Sequence, residues 1–235
     1  MNAQNKTALI TGGSDGIGFE IARELLARDF NVSICGRNLT KLDEARKNLS
    51  AEFGSQRVMS MRCDIADLAS VESFVSHTVN TFGGINTLVN NAGIAFITTF
   101  EDIAPAAWKE ILDTNLTGVY NCCRAVLPWL KLAGHSDIVN IGSRAGRYAF
   151  AGGVGYNATK FGLQGFTEAL FLDLHHHGIR VSLVAPGTVS TNLIDSPKED
   201  WHLSARDIAQ VVGDLLCLDR RATANWIEIR PSQPR

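Results

Sequence analysis

Thr7-Ala8-Leu9-Ile10-Thr11-Gly12-Gly13-Ser14-Asp15-Gly16-Ile17-Gly18 is the stretch from which the rest of the chain can be read. TALIT, residues 7–11, is a short β-rich run, and beyond the glycines Ile17, Ile21 and Leu25, with Ala22 and Leu26, recur at helical spacing. The glycines therefore fall at a strand-to-helix turn. Gly residues there let the chain turn sharply and let backbone N–H groups approach a pyrophosphate, with the positive end of the helix dipole behind it. An ordinary glycine-rich turn has the same composition, and only the strand-loop-helix context favours the phosphate reading.

Outward from this unit the alternation repeats. Strand-like runs follow at NVSIC (31–35), RVMSMRC (57–63), INTLVN (85–90), DIVNIG (137–142), IRVSLVAP (179–186) and WIEI (226–229), and Leu39, Leu42, Ala45 and Leu49 mark a second crossover helix. Runs apolar on both faces and joined by helices predict a doubly wound α/β domain, a parallel sheet of about seven strands covered on each side. With six prolines, no linker-like composition and no repeat, residues 1–235 are expected to form a single domain.

The bulk numbers narrow the partners. A net charge of -2 from 22 basic and 24 acidic residues gives no footprint for nucleic acid or an anionic membrane. No window approaches a membrane span of roughly 20 apolar residues. Five scattered cysteines without a CxxC pair suggest neither a disulfide framework nor a zinc site. The polar N-terminal lead lacks the apolar core of a signal peptide, so a cytoplasmic protein is expected. His175-His176-His177 reads as a solvated helix end, because successive helical residues point in different directions and no further ligand cluster accompanies them.

The spacing TGxxxGxG at residues 11–18, Asn90-Asn91-Ala92-Gly93 after the fourth strand, Asn115, Ser143, Tyr156-x-x-x-Lys160 and the Pro186-Gly187-x-Val189-x-Thr191 run occur in order. With them the chain, from about residue 6 to its C-terminus, resembles the short-chain dehydrogenase/reductase family, and within it the 3-oxoacyl-carrier-protein reductases. That resemblance implies a Rossmann-type fold, a nicotinamide dinucleotide cofactor, and hydride transfer to or from a carbonyl carbon. It implies four catalytic residues. Tyr156 would exchange a proton with the substrate oxygen, Ser143 would hydrogen-bond that oxygen, Lys160 would bind the nicotinamide ribose, and Asn115 would hold a relay water. Four-residue spacing on a helix places Tyr156 and Lys160 on one face, where an ammonium favours the phenolate of a group whose usual pKa is about 10. A polar residue satisfying a helix irregularity is the other reading of Asn115.

By the same resemblance Gly12, Ser14, Asp15, Gly16, Ile17 and Gly18 would form the phosphate loop, and Asp64 and Ile65 would meet the adenine. Asn91, Ala92 and Gly93 would shape the floor beneath the adenosine ribose, with a structural turn as an equal reading. Pro186, Gly187, Val189 and Thr191 would flank the nicotinamide. The second strand ends Cys35-Gly36-Arg37-Asn38, with no acidic residue for a ribose 2'-hydroxyl. Arg37 there favours NADP(H), through a 2'-phosphate; a surface arginine opening the next helix is the plain alternative. Asp15 opposes NADP, since many relatives carry a basic residue at that place.

A short lid near residues 188–203 is expected, with Leu193, Ile194, Trp201 and Leu203 as its apolar underside and Pro197, Lys198, Glu199 and Asp200 as its polar middle. Ile94, Phe96, Ala145, Tyr148 and Phe150 would add apolar walls, favouring a hydrophobic ketone or aldehyde. His177 before Gly178, and Gly134-His135-Ser136 before the fifth strand, stand where carrier-protein-using relatives tend to have arginines. The family resemblance further implies a homodimer or homotetramer that pairs the helix holding Asn115 and the helix holding Tyr156 with their symmetry mates, burying faces that include Leu163, Phe166, Leu170 and Leu174. An NAD-dependent secondary-alcohol dehydrogenase and a non-catalytic dinucleotide-binding regulator are the alternative functions; the intact set of Asn115, Ser143, Tyr156 and Lys160 speaks against the second.

Overall fold

Odd and even positions of the first strand part company in the computed structural model, which describes residues 6–194, 197 and 199–233. In β1 (Lys6–Thr11), Ala8 and Ile10 enter one core layer and Leu9 the other. The same two layers enclose β2 (Phe30–Gly36), β3 (Val58–Arg62), β4 (Thr87–Asn90), β5 (Ser136–Ile141), β6 (Ile179–Pro186) and β7 (Trp226–Ile229). All pairings are parallel, in the order β3-β2-β1-β4-β5-β6-β7. Every residue of β4, β5 and β6 is buried, whereas the edge strand β7 is only half-buried throughout. The all-apolar reading thus holds best at the centre of the sheet.

Helices α1 (Gly16–Ala27), α2 (Leu39–Phe53) and α7 (Ala205–Leu216) supply Ile21, Leu25, Leu42, Leu49, Ile208 and Val212 to the first layer. Helices α3 (Leu68–Phe82), α5 (Gly118–Ala133) and α6 (Val154–Leu174) supply Phe74, Val126 and Leu163 to the second. A shorter helix, α4 (Pro105–Leu112), carries Ile111 against Ala145 and Tyr156. Five of these seven starts are marked locally. Asp15, Asn38 and Asp67 accept backbone N–H groups at the first turns of α1, α2 and α3, Pro105 opens α4, and Ser204 with Asp207 closes a capping box on α7.

The strand order reverses between β1 and β4, and a crevice opens at their C-terminal ends. The expected lid is clipped at its base: Val189 bridges Leu203, Ser190 N–H donates to the Leu203 carbonyl, and Leu203 N–H donates to that of Thr188. Leu203 packs on the first core layer, and Trp201 donates to Glu199 beside His202, so of the expected underside only Leu193 and Ile194 face the cleft. Lys198 of the expected polar middle lies outside the described residues, as do residues 195 and 196.

Candidate active site

Two glycines in the loop after β1 adopt the left-handed region, Gly12 at φ +66° and Gly16 at φ +55°. A Cβ on Gly12 would also fall 2.9 Å from both the Ala92 backbone and the Asn91 amide nitrogen. Packing this tight admits no side chain at Gly12, and where the loop enters α1 the Asp15 carboxylate accepts from Gly16 N–H at 2.8 Å. Gly18 stands behind the loop and does not line the cleft. Its absent Cβ leaves room for the Gly12 carbonyl, which would otherwise be 2.3 Å away. The role expected of Gly18 is therefore corrected from contact to packing.

The loop after β4 is tied to the loop after β1. Asn91 and Ala92 N–H groups donate to Thr11 Oγ1 at 3.1 and 3.0 Å, and Asn91 Nδ2 donates to the carbonyls of Thr11 and Gly12. The turn reading of Asn91-Ala92-Gly93 is what these bonds describe, and the braced turn also lines the cleft. One cleft of about 760 Å³ runs from Arg37, Asn38 and Asp64 at one end, past Ser14, Asp15 and Ile17, to Ser143, Tyr156 and Lys160. Pro186, Gly187, Val189 and Thr191 line it as well. Asp64 Oδ1 accepts from Ala66 N–H at 3.0 Å, leaving Oδ2 as the carboxylate oxygen without a hydrogen bond among the described residues. Ile65 is largely committed to the core, filling the space that Gly118 leaves on α5.

Ser143 follows β5, and its Oγ accepts from Ala145 N–H at 3.0 Å, which fixes the turn that presents it. Tyr156 lies in the first turns of α6 and Lys160 one turn on, with Nζ donating to the Ile141 carbonyl at 2.9 Å and standing 5.7 Å from the Tyr156 ring centre. Burial raises the Tyr156 pKa, while the nearby Ser143 hydroxyl acts in the opposite direction. Lys160 is itself so buried that its pKa falls to about 8. Asn115 sits in a π-helical turn, Asp113–Thr117, between α4 and α5. Its amide pairs with both backbone groups of Ile94 at 2.9 Å and donates to Thr159 Oγ1 at 3.1 Å, so it meets α6 one residue before Lys160.

Two features escaped the sequence reading. Lys41 Nζ lies 2.7 Å from Asp15 Oδ2, holding the Asp15 carboxyl below its ordinary range, and Asn192 donates to the same oxygen at 3.2 Å. Lys41, in the first turn of α2, lines the same cleft as Arg37. Arg37 itself is half-exposed and 3.6 Å from Glu110 of α4. The second feature is Asn157, next to Tyr156, which donates to the Ala145 and Tyr148 carbonyls at 2.6 and 3.3 Å and ties the Ser143 turn to α6.

A family model described as short chain dehydrogenase matches residues 6–201. The chain belongs to the short-chain dehydrogenase/reductase family. It is 40% identical over 200 residues to a 3-alpha-(or 20-beta)-hydroxysteroid dehydrogenase of Mycobacterium tuberculosis, covering 85% of this chain and 75% of that one. It is 36% identical over 201 residues to the 3-oxoacyl-[acyl-carrier-protein] reductase FabG of Chlamydia muridarum, covering 84% and 81%. Its fold matches that of a metagenomic short-chain oxidoreductase solved in complex with NADP, with a TM-score of 0.85, 30% identity and coverage of 97% and 98%. This short-chain dehydrogenase/reductase is an oxidoreductase acting on a CH–OH or carbonyl group, and its family binds a nicotinamide dinucleotide. Among the described residues no helix is long and apolar enough to cross a membrane.

Proposed function

We propose that the chain is an NADPH-dependent reductase of a hydrophobic ketone or aldehyde, working as one catalytic domain in the cytoplasm. What supports this is the continuity of the cleft: basic groups at one end, the glycine turn that leads into α1 between, and Ser143, Tyr156 and Lys160 at the other. Bound NADPH supplies a hydride to the carbonyl carbon. Tyr156 gives its phenolic proton to the carbonyl oxygen, so that ketone, hydride and proton make the secondary alcohol. Ser143 donates a hydrogen bond to that oxygen as negative charge develops there. The Lys160 ammonium would bond the nicotinamide ribose, and Asn115 would hold a water through which the Tyr156 phenolate would regain its proton. Ile94, Ala145, Tyr148, Phe150, Leu193 and Ile194 are the apolar and aromatic walls for the substrate. Phe96 belongs instead to a side groove that shares Leu193 and Ile194.

A screen of ketones, aldehydes, diketones and acyl thioesters with purified protein, following NADPH oxidation, tests the reading, which fails if no carbonyl is reduced. Reduction should slow as the pH rises. The Tyr156 pKa is raised, so that acid stays protonated through neutral pH; Lys160, lowered to about 8, loses its proton first. The kcat/KM for reduction should be level below pH about 8 and fall about tenfold per pH unit above it. A profile level beyond pH 9.5, about one and a half units past that value, would remove the Lys160 ammonium from the mechanism.

We also propose a homodimer or homotetramer formed through α5 and α6. The residues expected to carry that face need correction, because Leu163 and Leu174 are 2% and 6% exposed and belong to the chain's own core. Phe166 and Leu170 are half-buried against the same core. Tyr120, Phe161 and Leu172, at 51%, 46% and 66% exposed, are the side chains that an association would cover. Light scattering at micromolar concentration should give a mass at least twice the 25.5 kDa of one chain, and a monomer contradicts the assembly.

A further inference from the structure

The mouth of the substrate cleft carries a cluster that the hydride chemistry does not use. Three guanidinium groups surround the ring of Tyr148, with Arg144 at 5.2 Å, Arg230 at 5.5 Å and Arg147 at 5.8 Å from its centre. Arg230 pairs with Glu228; Arg144 and Arg147 have no carboxylate partner among the described residues. A cation over an aromatic face at an exposed site is held only weakly, and three like charges around one ring repel one another. An anion among them would relieve that repulsion, and two of the three charges lack any partner that already does so.

The placement ties the cluster to the reaction. Arg144 directly follows Ser143, and both Arg144 and Tyr148 line the cleft that holds Tyr156. The turn bearing them is held in place: Arg147 and Tyr148 N–H groups donate to the Arg144 carbonyl at 3.0 Å, and Asn157 grips the Ala145 and Tyr148 carbonyls. The Arg144 and Arg147 guanidinium groups are thus carried on backbone anchored to the helix of the proton donor, while Arg230 comes from just past the end of β7. Ile94, Phe150, Leu193 and Ile194 line the same cleft, so apolar surface adjoins the charges.

We propose that the substrate is amphipathic: a carbonyl placed at Tyr156, an apolar body, and an anionic end, carboxylate or phosphate, docked on Arg144 and Arg147 with Arg230 as the third charge. This rests on the reading of the cleft as a carbonyl-reducing site and adds the class of molecule it takes. A free acid and a phosphate-bearing carrier share this chemistry, and the test separates them.

The test measures binding of hexanoate, hexyl phosphate and 1-hexanol to the NADPH-saturated protein by calorimetry, so that the cofactor's own phosphates do not compete. At least one anion should bind about fivefold or more tightly than the alcohol, and about 0.5 M NaCl should erode that preference. Preference for hexanoate points to a free acid, and preference for hexyl phosphate to a phosphorylated or carrier-linked substrate. R144Q/R147Q should lose the preference and R144K/R147K keep it, with thermal unfolding confirming each fold; R147Q alone, at an exposed position, serves if the double variant does not fold. Equal binding of the alcohol and both anions, or a preference unchanged in R144Q/R147Q, overturns the proposal. Because binding is read without turnover, an anion preference with no carbonyl reduced would leave this site standing and remove the reductase reading. Reduction of neutral ketones with no anion preference would do the reverse.

Discussion

Tyr156→Phe is expected to lower kcat for carbonyl reduction by about 10²- to 10⁴-fold while NADPH affinity stays within about twofold of the parent. The substitution removes one hydroxyl and keeps the ring, which packs with Ile111 and Ala145 in a small cluster of its own, so the fold has little reason to change. What disappears is the acid. Burial holds the Tyr156 proton in place through neutral pH, and Ser143, the other hydroxyl at the site, is a hydrogen-bond donor whose proton is far harder to release. Lys160 does not substitute for it, since Nζ is directed to the Ile141 carbonyl. Steady-state rates with the best substrate from the screen, together with NADPH titration by fluorescence, check both halves. Turnover within about threefold of the parent would rule out Tyr156 as the proton donor, being far short of the loss that general-acid catalysis implies.

The parent should bind NADPH at least about tenfold more tightly than NADH, and Gly36→Asp/Arg37→Leu should abolish or reverse that ratio. A 2'-phosphate adds negative charge at the end of β2, where Gly36 offers no repulsion and Arg37 offers a charge-assisted, two-pronged hydrogen bond. Such bonds contribute roughly 1.5–3 kcal/mol, or about ten- to a hundredfold in affinity. The contact with Glu110 at 3.6 Å is between half-exposed groups and competes only weakly. Asp15 is the feature that argued against NADP, and the structure changes its weight: Lys41 stands 2.7 Å from it, so the net charge of the pair near the phosphate is close to zero. Lys41→Ala should therefore weaken NADPH more than NADH by exposing the Asp15 carboxylate. An aspartate at position 36 has space beside Ser14, whose Oγ lies 3.0 Å from the added Cβ and rotates on a single bond. Equal affinities in the parent would make Arg37 a surface residue and move the NAD-linked alcohol dehydrogenase reading ahead.

The fold was legible because its determinants are local and repeated. Strand-length apolar runs, helical periodicity between them and cap residues such as Asp15, Asn38 and Ser204 each act within a few residues, and the seven runs read from the sequence are the seven strands of the sheet. The positions of Ser143, Tyr156 and Lys160, just after β5 and in the first turns of α6, agree with the elements on which the family resemblance put them; spacing alone would not have singled them out. Where the reading erred, the reason was packing. Leu163 and Leu174 were assigned to an interface because the family resemblance implies pairing through this helix, but a helix beside a sheet turns its apolar stripe to its own core. Trp201 and Leu203 were assigned to the substrate side of the lid without knowing that Val189 and Leu203 bridge and turn Leu203 into the core.

Taken alone, the sequence determined the strand and helix order, the glycine turn, and the residue types available for proton transfer and phosphate binding, because these depend on spacing along the chain. Tertiary structure alone decided which of those groups meet. Lys41 cancels Asp15 across 26 residues, Asn115 reaches α6 through Thr159 across 44, and Arg230 joins Arg144 and Arg147 around Tyr148 from the far end of the chain. Charge balance, burial and the resulting pKa shifts are properties of neighbours in space, and the parallel crossovers that fold this sheet bring together neighbours that spacing along the chain does not specify.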